Sequence, residues 1–292
     1  MVSTVVVIGI AAGAVVFVGT ILTVFFLLHQ GGSFDRMRQE AVGMPTVVGE
    51  LKPQLYDELL TLANKRALKP SALESPLKGE LIEIRNLSAP KDIALLHAIS
   101  NGNAKGGIYG DRAFDADELI WRYLSHGPFK TEADFGSKHC SDLPDNRHFV
   151  IVEGKTKQPI GMLSLKRHSP QDLRVEIGDI WLVPAFQGSG ALTEVVLLML
   201  QRLFDLKYRR VEMRCDGHNV RARRAAHSLG FTFEGVLRKH AIVKECNRDT
   251  VIFAAINSDW PAIEEHLKGK LASALAKINA ESEADGLTKK QQ

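Results

Sequence analysis

Gly188-Ser189-Gly190 follows an apolar run that stops at Pro184 and precedes a long apolar stretch. The pattern predicts a β-strand through Trp181, Leu182 and Val183, a turn over Gln187 to Gly190, and a helix from about Ala191 and Leu192. Two glycines in a turn at a helix N-terminus expose backbone N–H groups to an anion, and the helix dipole adds partial positive charge there. The chemistry that suits this geometry is cradling of a pyrophosphate. Taken alone, a Gly-x-Gly turn is equally a tight connection. Just upstream, Glu176 and Asp179 sit three residues apart on the same strand, and a strand carboxylate there could accept a proton through water.

Other chemistries are not expected. Cys140, Cys215 and Cys246 are far apart, and Cys215-x-x-His218 is a half-site with no second pair, so no metal is expected. A sparse, odd cysteine count fits a reducing compartment. Lys plus Arg is 37 and Asp plus Glu is 34, a net charge of +3 too small and scattered to point to nucleic acid.

The elements that must position the turn come in order. Residues 4–28 carry no charge, long enough at about 1.5 Å per residue to span a hydrocarbon core of about 30 Å. A single transmembrane anchor over 1–30 is expected rather than a cleaved signal, since no basic residue precedes the run. Arg36 and Arg38 place the following chain on the cytoplasmic side. Residues 31–78 read as a proline-punctuated spacer with one short helix, 79–272 as the folded domain, and 273–292 as a polar tail. Within the domain, strands are expected at 81–85, 148–153, 160–165, 210–215, 232–237 and 249–256, besides the one ending at Val183. Helices are expected after Pro90, over Asp115–Leu124, over Leu192–Asp205 with Val196, Leu200, Leu203 and Phe204 on one stripe, from Asn219 to Gly230, and after Asp259-Trp260-Pro261. The alternation gives an α/β class.

Several short motifs lie in a shared order. They are Trp121-x-Tyr123-Leu124-x-x-Gly127-Pro128-Phe129, Glu176-Ile177-Gly178-x-Ile180-Trp181, and Gln187-Gly188-Ser189-Gly190-x-x-Thr193-Glu194. Asn219, Ala225-Ala226-x-x-Leu229-Gly230-Phe231-x-Phe233-Glu234-Gly235, Asn247-Arg248-Asp249-Thr250 and Asp259-Trp260-Pro261 follow. The set resembles the GNAT acetyltransferase superfamily, in its RimJ/RimL-like branch, over about residues 80–270.

That resemblance implies a mixed α/β domain, an acyl-CoA N-acyltransferase fold with a mixed sheet, whose two middle strands splay to admit acetyl-CoA. It places the pantetheine along Trp181, Leu182 and Val183 and the pyrophosphate on the N–H groups of Gly188, Ser189, Gly190, Ala191 and Leu192, with Gln187 also at the cofactor. Asn219 matches the family Asn of the pantetheine region and is also a helix cap by type. Arg224, with Arg221 and Arg223, either reaches the 3′-phosphate of CoA or forms a solvated basic face. Glu176 is the candidate base and Asp179 its alternative, with a structural ion pair the competing role for Glu176. Glu194 reads as complementing the helix dipole.

Three departures bear on chemistry. Leu192 stands where the strict pattern has Gly or Ala. Ala222 replaces the Ser that would protonate the leaving thiolate, leaving water, Ser228 or Tyr208 as donors. Glu245 stands where relatives carry Gly, beside a loop at the acceptor cleft, and Trp121, Tyr123 and Phe129 form either an aromatic wall there or core. The function implied is a membrane-anchored N-acetyltransferase acting on a primary amine, small molecule or protein N-terminus. The alternative is a membrane-tethered acyl-CoA-binding module without turnover.

Overall fold

The computed structural model describes residues 73–89, 91–140 and 147–288. The expected membrane span at 4–28 and nearly all of the expected spacer lie outside the described residues. Among the described residues no helix is long and apolar enough to cross a membrane.

Eight strands form one sheet: β1 (Leu77–Lys78), β2 (Ile82–Asn86), β3 (Arg147–Glu153), β4 (Pro159–Ser169), β5 (Arg174–Leu182), β6 (Arg210–Asp216), β7 (Thr232–Val243) and β8 (Cys246–Ile256). The order is β1-β2-β3-β4-β5-β6-β8-β7, and only β5 with β6 is parallel. The helices are α1 (Lys91–Ser100), α2 (Glu132–His139), α3 (Ala191–Asp205), α4 (Val220–Ser228) and α5 (Trp260–Thr288). The sheet is thus mixed, as the family resemblance implied.

Helix α3 carries the stripe that fixes this arrangement. Val195, Val196, Met199, Leu200 and Leu203 are fully buried at 0% exposure. Each fully buried side chain of this kind stabilises the fold by about 1.5–3 kcal/mol. Glu194, in the first turn of α3, is buried as well, and its carboxylate accepts the backbone N–H groups of Glu80, Leu81 and Ile82 at 2.6, 2.8 and 2.8 Å. It therefore clamps the start of β2 to the start of α3. That is a more specific role than dipole complementation. A Cβ on Gly79 would sit 2.2 Å from the Glu194 Cδ, so the clamp needs glycine there.

Helix α5 runs antiparallel to α3. Trp260 stacks on Phe204 near the end of α3, with centroids 5.2 Å apart, while Ala274 reaches Gly190 at its beginning. The helix continues to Thr288, past the limit of 272 expected for the domain, and Leu271 and Leu275 pack on the core. Ala, Lys and Glu in that region support a helix without an apolar stripe to announce it.

Two further expectations are corrected. The helix expected over Asp115–Leu124 is one wide π-turn, Asp117–Trp121, because Trp121 leaves the surface to insert in the core, where its Nε1 donates to Ser100 O at 2.8 Å. The strand expected from Asp249 begins three residues earlier, at Cys246, so all of Asn247 to Thr250 is strand. The hairpin turn is Lys244-Glu245, both residues left-handed at φ 49° and 66°.

Candidate active site

Strands β5 and β6 pair at Arg174↔Arg210, Val175↔Val211 and Glu176↔Glu212, and there the pairing ends. Beyond that point Ile177–Leu182 and Met213–Asp216 part, and residues of both strands line a cavity of about 490 Å³. Unpaired strand edges at such a splay offer N–H and C=O groups to a ligand that carries amides of its own.

A bulge aims a carboxylate into this cavity. Between the pairs Ser164↔Gly178 and Met162↔Trp181, β5 spends one more residue than β4, and Asp179 takes the left-handed φ of 48°. Its oxygens pair with Lys166 Nζ at 2.9 and 3.0 Å. Burial pushes the Asp179 carboxyl up, but the Lys166 ammonium outweighs it and holds the group below the usual carboxylate range. Glu176, at the apex, is 4% exposed, and burial raises its pKa against the opposing pull of Lys166, Arg167 and Arg214. Arg167 Nε lies 2.9 Å and Arg214 Nε 3.5 Å from Oε2. Neither N–H points along that line, so Oε2 is ion-paired without a hydrogen bond. A carboxylate with a raised pKa and a free lone pair is suited to take a proton.

At the other end lies the glycine turn. Gly188 and Gly190 are left-handed at φ 81° and 93°, and Gly190 caps α3 without any side-chain bond. Their N–H groups have no acceptor among the described residues. A Cβ on Gly188 would meet nothing within 4 Å, whereas one on Gly190 would lie 2.7 Å from the Cβ of Ala274. Gly188 is therefore open to a ligand, and Gly190 serves the α3–α5 contact. The residues present fit a pyrophosphate.

A model of the acetyltransferase (GNAT) domain matches residues 106–232. Among solved structures, the chain is similar to a GCN5-related N-acetyltransferase from Brucella melitensis: identity is 31%, 70% of this chain and 88% of that one are covered, and the TM-score is 0.61. This chain belongs to the GNAT acetyltransferase family. A GNAT-family protein from Chromobacterium violaceum shares 28% identity over 73% of this chain and 98% of its own, with a TM-score of 0.61. An acetyltransferase from T. thermophilus shares 26% over 69% and 99%, with a TM-score of 0.57. A comparison with curated proteins finds no match.

Within this GNAT domain the expected site residues divide. Glu176, Asp179, Trp181, Leu182, Gln187, Gly188, Leu192 and Asn219 line the cavity; Val183, Ser189, Gly190, Ala191 and Arg224 do not. Val183 is buried and its N–H is spent on Ile160 O at 2.9 Å. Ser189 Oγ donates to Phe186 O at 2.8 Å, and Ala191 is buried in the core. Asn219 caps α4 by accepting from Ala222 N at 3.0 Å, and its place on the cavity wall leaves it a second use. Arg221 and Arg223 are held by the carbonyls of Glu118 and Gly217, while Arg224 is exposed and unengaged among the described residues.

Of the proton donors considered, neither Tyr208 nor Ser228 lines the cavity. Tyr208 is buried at 1% exposure, and Ser228 Oγ accepts from Lys270. The wall carries Tyr123, Ser125, Cys215 and Thr250 instead. Burial pushes the Cys215 thiol up to about 11, so it stays protonated. Of the aromatic trio only Tyr123 faces the cavity; Trp121 and Phe129 pack edge to face with centroids 5.2 Å apart.

Sequence reasoning did not find the basic end of the cavity: Lys166, Arg167, Arg214, Arg248 and His240. Strand alternation in β6 puts Arg214 on the face of Glu212, which was a usable signal. His240 had none, because β7 slips register between Leu237 and Ala241.

Proposed function

We propose that the chain is an acetyl-CoA-dependent N-acetyltransferase of the RimJ/RimL-like branch, acting on a primary amine by direct transfer. The observation that carries this reading is the parting of β5 from β6 immediately after Glu176↔Glu212, with the unsatisfied N–H groups of Gly188 and Gly190 at the far end. Acetyl-CoA supplies an activated thioester. The glycine turn holds its pyrophosphate, and the strand edge between Ile177 and Leu182, with Asn219 opposite, receives the pantetheine. The amine meets the thioester at the apex, where holding both partners together supplies much of the acceleration. Glu176 accepts the amine proton, directly or through water, and Asp179, fixed by Lys166, stays ionised and favours the ammonium form of an approaching amine. Residues 4–28 anchor the chain to a membrane with the domain on the cytoplasmic side.

Calorimetric titration of acetyl-CoA into the full chain, followed by thiol release with an amine panel, tests the proposal. Micromolar binding and amine-dependent release are expected; no binding would overturn it. One observation favours a second reading, an acyl-CoA-binding module without turnover. Ala222 lacks the hydroxyl that would protonate the thiolate, and the two side chains expected to replace it, Ser228 and Tyr208, lie off the cavity. Binding with no release from any amine would establish that reading.

A further inference from the structure

At the basic end of the cavity, three of the four Lys and Arg side chains of β4, β6 and β8 have a carboxylate partner and one does not. Lys166 is taken by Asp179, Arg167 by Glu176, and Arg214 by Glu212 Oε2 at 2.7 Å. Arg248 makes no ion pair among the described residues, and its Nε is buried with no hydrogen-bond partner. The acids nearest along the strands, of which Asp216 also lines the cavity, make no ion pair with Arg248. Asp216, paired across from Thr250, accepts the backbone N–H of His218 at 2.8 Å, and Asp249 accepts that of Lys239 at 2.6 Å. Glu118 also lines the cavity, but it is exposed.

Building on the transferase reading, we propose that the acceptor is a small amine that also carries an oxyanion, a carboxylate or a phosphate, and that Arg248 beside His240 binds that oxyanion. A guanidinium nitrogen withdrawn from water without a partner is costly, and a ligand oxyanion removes that cost. The planar fork of Arg matches carboxylate and phosphate oxygens in pairs of charge-assisted bonds. Arg248 is not isolated in this respect. His240, whose Nδ1 lies 2.9 Å from Thr250 Oγ1, also lines the cavity, and its pKa is lowered by burial and then by the charges of Arg167, Arg214 and Arg248. A second cation entering here is repelled by the same charges that attract an anion. The proton acceptor and the oxyanion clamp thus occupy one end of one cavity, with Glu176 for the nitrogen and Arg248 for the oxyanion.

The test uses matched pairs against the full chain saturated with CoA, so that binding is read without turnover. Phosphoethanolamine is compared with ethanolamine, and β-alanine with propylamine, by calorimetry. The anionic member of at least one pair should bind ten-fold or more tightly, and Arg248→Gln should bring the pair together, with Arg248→Lys intermediate. In the wild-type protein, raising salt from 50 to 500 mM should shrink the preference, a readout that does not depend on a variant folding. Equal affinities within both pairs, tighter binding of spermidine than of either anion, or a preference unmoved by Arg248→Gln would overturn the proposal. Failure of CoA itself to bind would instead overturn the transferase reading, which separates the two.

Discussion

If Glu176 takes the amine proton, its ionisation must appear in the rate, and Arg167 must tune it. The carboxyl is 5% exposed and Arg167 Nε lies 2.9 Å from its oxygen, but the Arg167 side chain is 51% exposed. Unit charges about 4 Å apart interact by about 1 kcal/mol in water-like surroundings and about 4 kcal/mol at an effective dielectric near 20. A half-exposed partner belongs near the lower figure, and Arg214, 3.5 Å away, remains as a second counter-charge. Losing Arg167 therefore costs the ionised form about 1–2 kcal/mol, or roughly one unit of pKa. The base works deprotonated, so the rate falls as pH drops through the Glu176 pKa. Arg167→Gln raises that pKa and should move the acid limb of kcat up by about one pH unit. Glu176→Gln keeps the side-chain volume, removes the limb, and should lower kcat by about 100-fold. The assay is thiol release from acetyl-CoA at saturating amine, across pH 5 to 9, for the three proteins. The acceptor's own ionisation is common to all of them and cancels in the ratios. Superimposable wild-type and Glu176→Gln profiles would refute the assignment and make Asp179 the next residue to test. An Arg167→Gln limb that stays in place would refute the electrostatic reasoning even if Glu176 is the base.

Three further outcomes are expected. Gly188→Ala should weaken acetyl-CoA binding at least ten-fold by calorimetry and cost the fold only the about 1–2 kcal/mol of a left-handed alanine, whereas Gly190→Ala carries the same strain plus the meeting of its Cβ with Ala274 and should melt lower still. Unchanged affinity in Gly188→Ala removes the pyrophosphate from this turn. Glu194→Gln replaces a buried carboxylate that accepts three N–H groups with an amide that must present donors to one of them, and should cost about 3 kcal/mol, or roughly 6–12 °C in a thermal melt; a melt within 2 °C would show the clamp to be idle. His126, His139 and His148 form a row of ring contacts at 5.3 Å, and burial, with the neighbouring Lys138, lowers all three pKa values against Asp179, to about 4 for His126 and His148, which also feel Lys166. Between pH 6.5 and 4 the unfolded chain binds protons that the folded one refuses, so stability should fall steadily as pH drops through that window, and His148→Gln should flatten the slope of the denaturation midpoint against pH.

What the sequence made legible is local, and what it concealed is brought together over distance. The glycine turn and the stripe on α3 are contiguous, so residue type and period report them directly, and both stand where expected. Glu194 shows the opposite case. A Glu in the first turn of a helix has a sufficient local explanation in the dipole, yet its N–H partners lie 112 to 114 residues away, and nothing in its own neighbourhood announces them. The basic end of the cavity is assembled from β4, β6, β7 and β8 in the same manner, and a bulge hides one part of it. Lys239 is left-handed at φ 48°, the register of β7 shifts there, and the alternation that would mark His240 as facing inward is broken at that residue. The break is also where His240 meets Thr250 Oγ1 on the cavity wall. At Asp179 the same device operates on β5, where a second left-handed residue aims a carboxylate at Lys166. In both strands the irregularity that defeats a period-two reading is the feature that delivers a polar side chain to the cavity. Where an otherwise regular strand of this family loses its alternation next to a charged or histidine residue, the physical expectation is a bulge, and the residue at the bulge is the one to test for contact with substrate.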